Sequence, residues 1–161
     1  MDPRLCRDQL EQLIASEVTL LNELEKLLVT EHDVLLKNEL VALEAASDAR
    51  QQCMSALLQI QDERVALLRM HGYSNDPAGI NRLLDWCDPA KILKSRWSAY
   101  LELAARCRQS NERNAALVAA RMTRVAGLLD VIVGPAQRAT VYSASGSRDS
   151  GRSGALFAAE A

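Results

Sequence analysis

Residues 93–133 read LKSRWSAYLELAARCRQSNERNAALVAARMTRVAGLLDVIV, and their apolar side chains recur at alternating steps of four and three residues. This spacing places residues from Leu93 to Ile132 on one helical face and continues for nearly six heptads before a Gly-Pro pair stops it. Other helices have to pack on a stripe of this length if its apolar side chains are to be shielded from water. The sequence therefore predicts a long last helix from about Pro89 to Val133 in an all-α fold.

The N-terminal half predicts further long helices. Asp2 followed by Pro3 is typical of a helix start, and a Leu-rich stripe that includes Glu17 indicates a first helix over about 5–29. Thr30 with a carboxylate three residues later is typical of a capping box, so we expect a second helix over about 31–70. No Gly or Pro enforces this break, and one bent helix is the alternative.

Two signals follow the second helix. Gly72 predicts a left-handed C-terminal cap, and Asp76-Pro77 predicts the start of a short helix that ends near Cys87. The expected fold is an elongated antiparallel helical bundle or coiled coil of two to three long helices plus one short helix. We expect residues 1–133 to form this bundle domain and residues 134–161, which hold four of seven glycines and five serines, to form a flexible C-terminal tail.

The composition disfavours several classes of protein. A net charge of −2 disfavours nucleic-acid binding, and no apolar run reaches the ~18 residues of a membrane span. The charge is divided, because residues 1–71 carry −6 (7 basic, 13 acidic) and residues 72–161 carry +4 (12 basic, 8 acidic). Four separated cysteines without CxxC spacing and an N-terminus unlike a signal peptide indicate a cytoplasmic protein with reduced thiols.

No pattern in the sequence indicates catalysis, a metal site or a cofactor. His32 and His71 are both expected at helix ends, and neither has a second His or a Cys within one turn. Phosphate-binding glycine loops and Glu-x-x-His pairs are absent from the sequence. We therefore expect a protein that is not an enzyme and acts by binding other proteins.

Asn111 and Asn114 interrupt the apolar seam of the last helix. A buried amide that hydrogen-bonds across a seam fixes helix register at a cost in stability, and this is the interpretation that we favour. The alternative is a partly satisfied surface that awaits a partner.

The order of these features resembles the FlgN family over roughly residues 8–146. A Leu-rich first helix precedes a second helix that ends with Arg64, Leu67, Leu68 and Gly72. A short helix and a last helix with Asn-x-x-Asn at 111–114 follow, and then a Tyr-x-x-x-Gly element at 142–146. One departure is Ala115, where the family often has Gly.

This resemblance implies a cytoplasmic chaperone of flagellar type III export. Its clients would be the C-terminal segments of hook–filament junction (hook-associated) proteins, kept from premature association and delivered to the export gate, with the export ATPase a further candidate partner. The implied client-binding face lies on the last helix and consists of Val118, Met122, Val125, Leu128, Leu129 and Ile132. Tyr142 and Gly146 would dock at the export gate.

Other interpretations remain open at this point. Packing inside the protein also explains the stripe of the last helix, and the residues alone favour that explanation. A structural coiled-coil protein or a regulatory adaptor, neither of them enzymatic, would show the same helices. Monomer and homodimer are both compatible with the sequence.

Overall fold

The computed structural model describes residues 2–133; the predicted tail lies outside this range. It contains four helices, α1 (Pro3–Lys37), α2 (Leu40–Met70), α3 (Pro77–Cys87) and α4 (Ile92–Val133). The prediction of an all-α bundle of two to three long helices plus one short helix is confirmed, and the number of long helices is three. Among the described residues, 2–118 belong to one compact unit and 119–133 to another.

Helix α1 supplies the centre of the first unit. Its buried residues repeat in steps of three and four over almost its whole length. Ion pairs from Glu17 to Arg64 and from Glu31 to Arg50 show that α2 runs antiparallel to α1. Helix α4 runs parallel to α1, because its side chains from Arg96 to Asn114 contact successively later residues of α1.

The chain reverses between α1 and α2 at Asn38, and the predicted break at Thr30 is wrong. The Thr30 hydroxyl donates to the carbonyl of Lys26, one turn earlier in a continuous helix, so it caps nothing. Asn38 adopts φ 61°, a left-handed conformation that Asn tolerates better than most residues, and its N–H donates to the Leu35 carbonyl. The bent-helix alternative is also wrong, because α2 returns along α1.

The predicted end of α2 at Gly72 and the predicted start of α3 at Asp76-Pro77 both agree with the structure. Gly72 has φ 78°, and the neighbouring Tyr73 N–H donates to the Leu68 carbonyl, which closes α2. The Asp76 carboxylate accepts from the Gly79 N–H at 2.6 Å and caps α3. A Cβ on Gly79 would lie 1.9 Å from the Ser74 carbonyl oxygen, so this turn requires glycine. The predicted left-handed cap and the predicted short helix are both confirmed.

Helix α4 begins at Ile92, three residues later than predicted. Lys91 adopts φ 58°, which is outside the α-helical region, so the chain between Pro89 and Lys91 is not helical. The buried Asp88 carboxylate instead accepts from the backbone N–H of Leu93 at 2.7 Å and of Lys94 at 3.3 Å. Asp88 therefore caps α4 from the end of α3 and ties the two helices together.

Two apolar clusters form the core of the first unit. One joins the start of α1 to the end of α2, to α3 and to the start of α4, with Leu68 and Leu83 fully buried. The other joins the middle of α1 to α2 and α4 around Leu28, which is also fully buried. Each fully buried leucine contributes roughly 1.5–3 kcal/mol relative to an exposed one.

Candidate functional site

A buried ion pair lies where α1, α2 and α4 meet in the first unit. The Arg64 Nε donates to both carboxylate oxygens of Glu17, at 3.1 and 3.2 Å. The guanidinium carbon lies 5.0 Å from the ring centroid of Trp97, which stacks on Tyr100. Burial raises the pKa of Glu17 above its ordinary value, and the Arg64 charge opposes that rise only in part. This layer joins three helices through one charge pair and two aromatic rings.

A second polar layer lies two heptads further along α1. The buried Asn114 amide donates to the Leu28 carbonyl at 2.9 Å and to the Glu31 carboxylate at 3.1 Å. Its carbonyl oxygen lies 2.9 Å from Nδ1 of His32, and Arg50 donates to the other oxygen of Glu31. Every member of this layer has a partner, which is the condition under which a buried polar group is tolerated.

The two seam asparagines occupy different environments. Asn114 is buried in this second layer, whereas Asn111 is exposed.

The expectation that His32 lies at a helix end is wrong, because α1 continues to Lys37 and the His32 ring faces Asn114 across the seam. The expectation for His71 is confirmed, since it caps the end of α2, with its ring 5.3 Å from that of Trp86.

Large apolar side chains on the C-terminal part of α4 are exposed. We call Met122, Val125, Leu128, Leu129 and Ile132 the distal face; they are between 48% and 78% exposed. Val118, at the end of the first unit, is also exposed. The distal face continues the heptad spacing of the buried part of α4. An amphipathic helix face of this kind can receive the apolar side of another helix.

The first unit also has an apolar groove of about 270 Å³ between α2 and α4, which the sequence analysis missed. Its floor includes Leu21 and Leu24 of α1, and its rim includes the exposed Met54 and Leu58 of α2. No periodicity in the sequence shows that the apolar side chains of α2 and α4 remain apart over part of their length. The groove is a second surface that could receive an apolar segment.

The chemistry of the described residues is that of a packed bundle. All four cysteines are free and buried, and burial raises the pKa of the Cys6 thiol to about 12. Residues 2–133 contain no group of three His, Cys, Asp or Glu side chains that could hold a metal ion. Within the same range no helix is long and apolar enough to cross a membrane. Tyr142 and Gly146, the expected gate-docking residues, lie outside the described residues.

Comparison with known proteins gives one match, to a family of proteins. The model of the FlgN protein family matches residues 1–150 of the 161-residue chain. Neither the curated proteins nor the solved structures contain a significant match. Members of this family act as chaperones and not as enzymes. Because the match covers most of the chain, including all four helices, this protein belongs to the FlgN family of flagellar export chaperones for hook-associated proteins.

Proposed function

We propose that the distal face of α4 is the client-binding surface of this chaperone, and that it takes up the C-terminal segment of a hook-associated protein. The observation that carries this proposal is the exposure of five large apolar side chains on one helical face. A client segment that forms an amphipathic helix would bury that face together with its own apolar side. Covering the segment would keep the client from premature association before export.

The physical basis of binding is apolar burial without any chemical step. Leu128 and Ile132 are four residues apart, so they lie one above the other on α4, and each is more than half exposed. Full burial of such a side chain is worth about 1.5–3 kcal/mol. Met122 adds an unbranched side chain that adapts to different surfaces, which suits a chaperone with more than one client.

The experiment is a binding titration of the client's C-terminal segment against Leu128→Asp/Ile132→Asp. We expect its affinity to fall by at least about a hundredfold, since two carboxylates would be desolvated in an apolar contact, while helicity is unchanged. Leu5→Asp/Ile92→Asp is the matched control, because Leu5 and Ile92 are about as exposed as Leu128. Unchanged client affinity in the first variant would refute the proposed surface.

The groove between α2 and α4 supplies a competing location for the client. Met54→Asp/Leu58→Asp would place charges on the groove rim without changing the distal face. We expect this variant to bind the client with wild-type affinity. Loss of binding in this variant, with binding kept in Leu128→Asp/Ile132→Asp, would move the client site to the groove.

We further propose that the protein works in the cytoplasm and that Tyr142 and Gly146 dock the loaded chaperone at the export gate. The support is the Tyr-x-x-x-Gly spacing within the 1–150 family match. Tyr142→Ala should keep client binding and lose binding to the gate. Phe157→Ala is the control, because it removes the other aromatic residue of 134–161. Lost client binding with gate binding kept would refute the assignment.

Two further partner assignments remain proposals. The export ATPase would be contacted during delivery, and co-sedimentation of the loaded chaperone with the ATPase would test this. The chain acts either as a monomer or as a homodimer, which sedimentation equilibrium over a range of concentrations distinguishes.

A further inference from the structure

We infer that the client helix received by the distal face carries carboxylates along one edge, where they pair with Arg121 and Arg124. This inference rests on the proposed function, because it specifies the chemistry of the segment that the distal face binds. It also gives the client a defined orientation, which apolar burial alone does not provide.

The two edges of the distal face differ in character. Arg121, Arg124 and Leu128 are spaced by three and four residues, so they form a ridge along one edge. Ala119 and Ala126 are seven residues apart and lie along the other edge. A partner helix can approach closely on the alanine edge, whereas on the other edge it meets two long cationic side chains.

The two arginines have no ion-pair partner among residues 2–133. Elsewhere in the described chain, several arginines of α2 and α4 pair with acidic residues, as in Arg50 with Glu31, Arg96 with Glu11 and Arg106 with Glu25. Arg69 and Arg113 have no ion pair within residues 2–133. Arg124 is exposed and Arg121 is partly exposed, so both guanidinium groups can reach a ligand that lies on the distal face. Arginine is also well suited to pairing with a carboxylate, because its planar group presents two parallel donors.

Charge distinguishes the client from two other occupants. A second copy of this chain that packed its own distal face symmetrically on this one would bring an identical pair of arginines to the contact. The chain's own residues 134–161 carry three arginines against two acidic residues, a charge of +1, and so supply little to neutralise the ridge. A client helix with an acidic edge supplies the carboxylates that neither of these two contacts brings to Arg121 and Arg124.

Two synthetic peptides of about 18 residues, or five helical turns, test the inference against the full-length chain. They share a leucine stripe, and one edge carries Glu in the first peptide and Lys in the second. We expect the Glu peptide to bind wild type about tenfold more tightly than the Lys peptide. In Arg121→Glu/Arg124→Glu this preference should reverse. Arg4→Glu/Arg82→Glu is the control, because both arginines are exposed residues of the first unit without an ion pair in the described chain.

The outcomes separate the inference from the proposed function. Equal affinities for the two peptides, both lost in Leu128→Asp/Ile132→Asp, would overturn the inference and leave the proposed function standing. Peptide binding that survives Leu128→Asp/Ile132→Asp would overturn both. A wild-type homodimer that Leu128→Asp/Ile132→Asp dissociates, or a Glu-peptide affinity that rises tenfold when residues 134–161 are removed, would identify a different occupant and overturn the inference.

Discussion

The two parts of α4 carry the same heptad spacing and differ in burial. From Leu93 to Asn114 most of the stripe packs on α1 and α2, with Asn111 the exposed exception, whereas from Val118 to Ile132 its apolar residues are exposed. In the first part the buried Asn114 has fixed hydrogen-bond partners, and in the second part Arg121 and Arg124 have no ion-pair partner within residues 2–133. The comparison shows that a heptad pattern predicts an apolar helix face that another surface has to cover. It does not predict whether that surface belongs to the same chain or to a partner.

The largest expected effect comes from breaking the buried ion pair of the first unit. Arg64→Ala should cost about 3–5 kcal/mol of unfolding free energy, because it leaves the Glu17 carboxylate buried without its cation. Urea denaturation measures this cost. Arg96→Ala, which removes an exposed ion pair between α1 and α4, should cost under about 1 kcal/mol. Equal costs for the two variants would contradict the structural role of the buried pair.

A pair of identical substitutions compares the two parts of the molecule directly. Leu28→Ala should destabilise the protein by about 2–5 kcal/mol, since Leu28 is 0% exposed and its truncation leaves a cavity. Leu128→Ala should change stability by less than about 0.5 kcal/mol, because Leu128 is 58% exposed. Thermal denaturation at fixed protein concentration measures both. A large loss at Leu128 would show that the distal face is covered in the isolated protein.

The two asparagines extend the comparison to polar residues and test the register interpretation. Asn114→Ala should cost about 1–3 kcal/mol, because the Leu28 carbonyl and Glu31 lose a buried donor. Asn111→Ala should be within about 0.5 kcal/mol of wild type, because Asn111 is exposed. Chemical denaturation gives both values, and similar losses at the two positions would contradict the placement of the seam.

The smallest effect is the pH dependence of Glu17. Burial raises its pKa above 4.5 in the folded protein, so the folded state binds this proton more tightly than the unfolded state. The stability that protonated Glu17 contributes is fully present at pH values below its pKa in the unfolded chain. This stability is lost as the pH rises through the pKa of Glu17 in the folded protein. Relative to Glu17→Gln, wild type should therefore lose unfolding free energy as pH rises from about 4 toward neutrality. An opposite slope would show that Arg64 outweighs burial.

The sequence predicted those parts of the fold that depend on local chemistry. The caps at Asp2, Gly72 and Asp76 and the α1 stripe that contains Glu17 follow from short-range rules, and the structure has all of them. The reversal at Asn38 was missed because a single left-handed residue without Gly or Pro leaves little trace in a sequence. The start of α4 was misplaced because the residue that caps it, Asp88, lies four positions before Ile92, and the residues from Pro89 to Lys91 between them are not helical.

The candidate site was less predictable than the fold. The sequence located the apolar residues of the distal face, but a heptad pattern does not show whether such residues are buried or exposed. Asn111 and Asn114 were indistinguishable in the pattern, and only packing shows that one is buried. The pairing of Arg64 with Glu17 joins residues 47 positions apart, and no local spacing indicates it.

Hydrogen exchange with and without the client's C-terminal segment tests most directly whether the distal face is a docking surface. Binding should slow the exchange of backbone amides in residues 119–133, because a covered helix end opens less often, and should leave residues 6–35 of α1 nearly unchanged. Slower exchange confined to α1 and α2, with residues 119–133 unaffected, would contradict the assignment of the distal face.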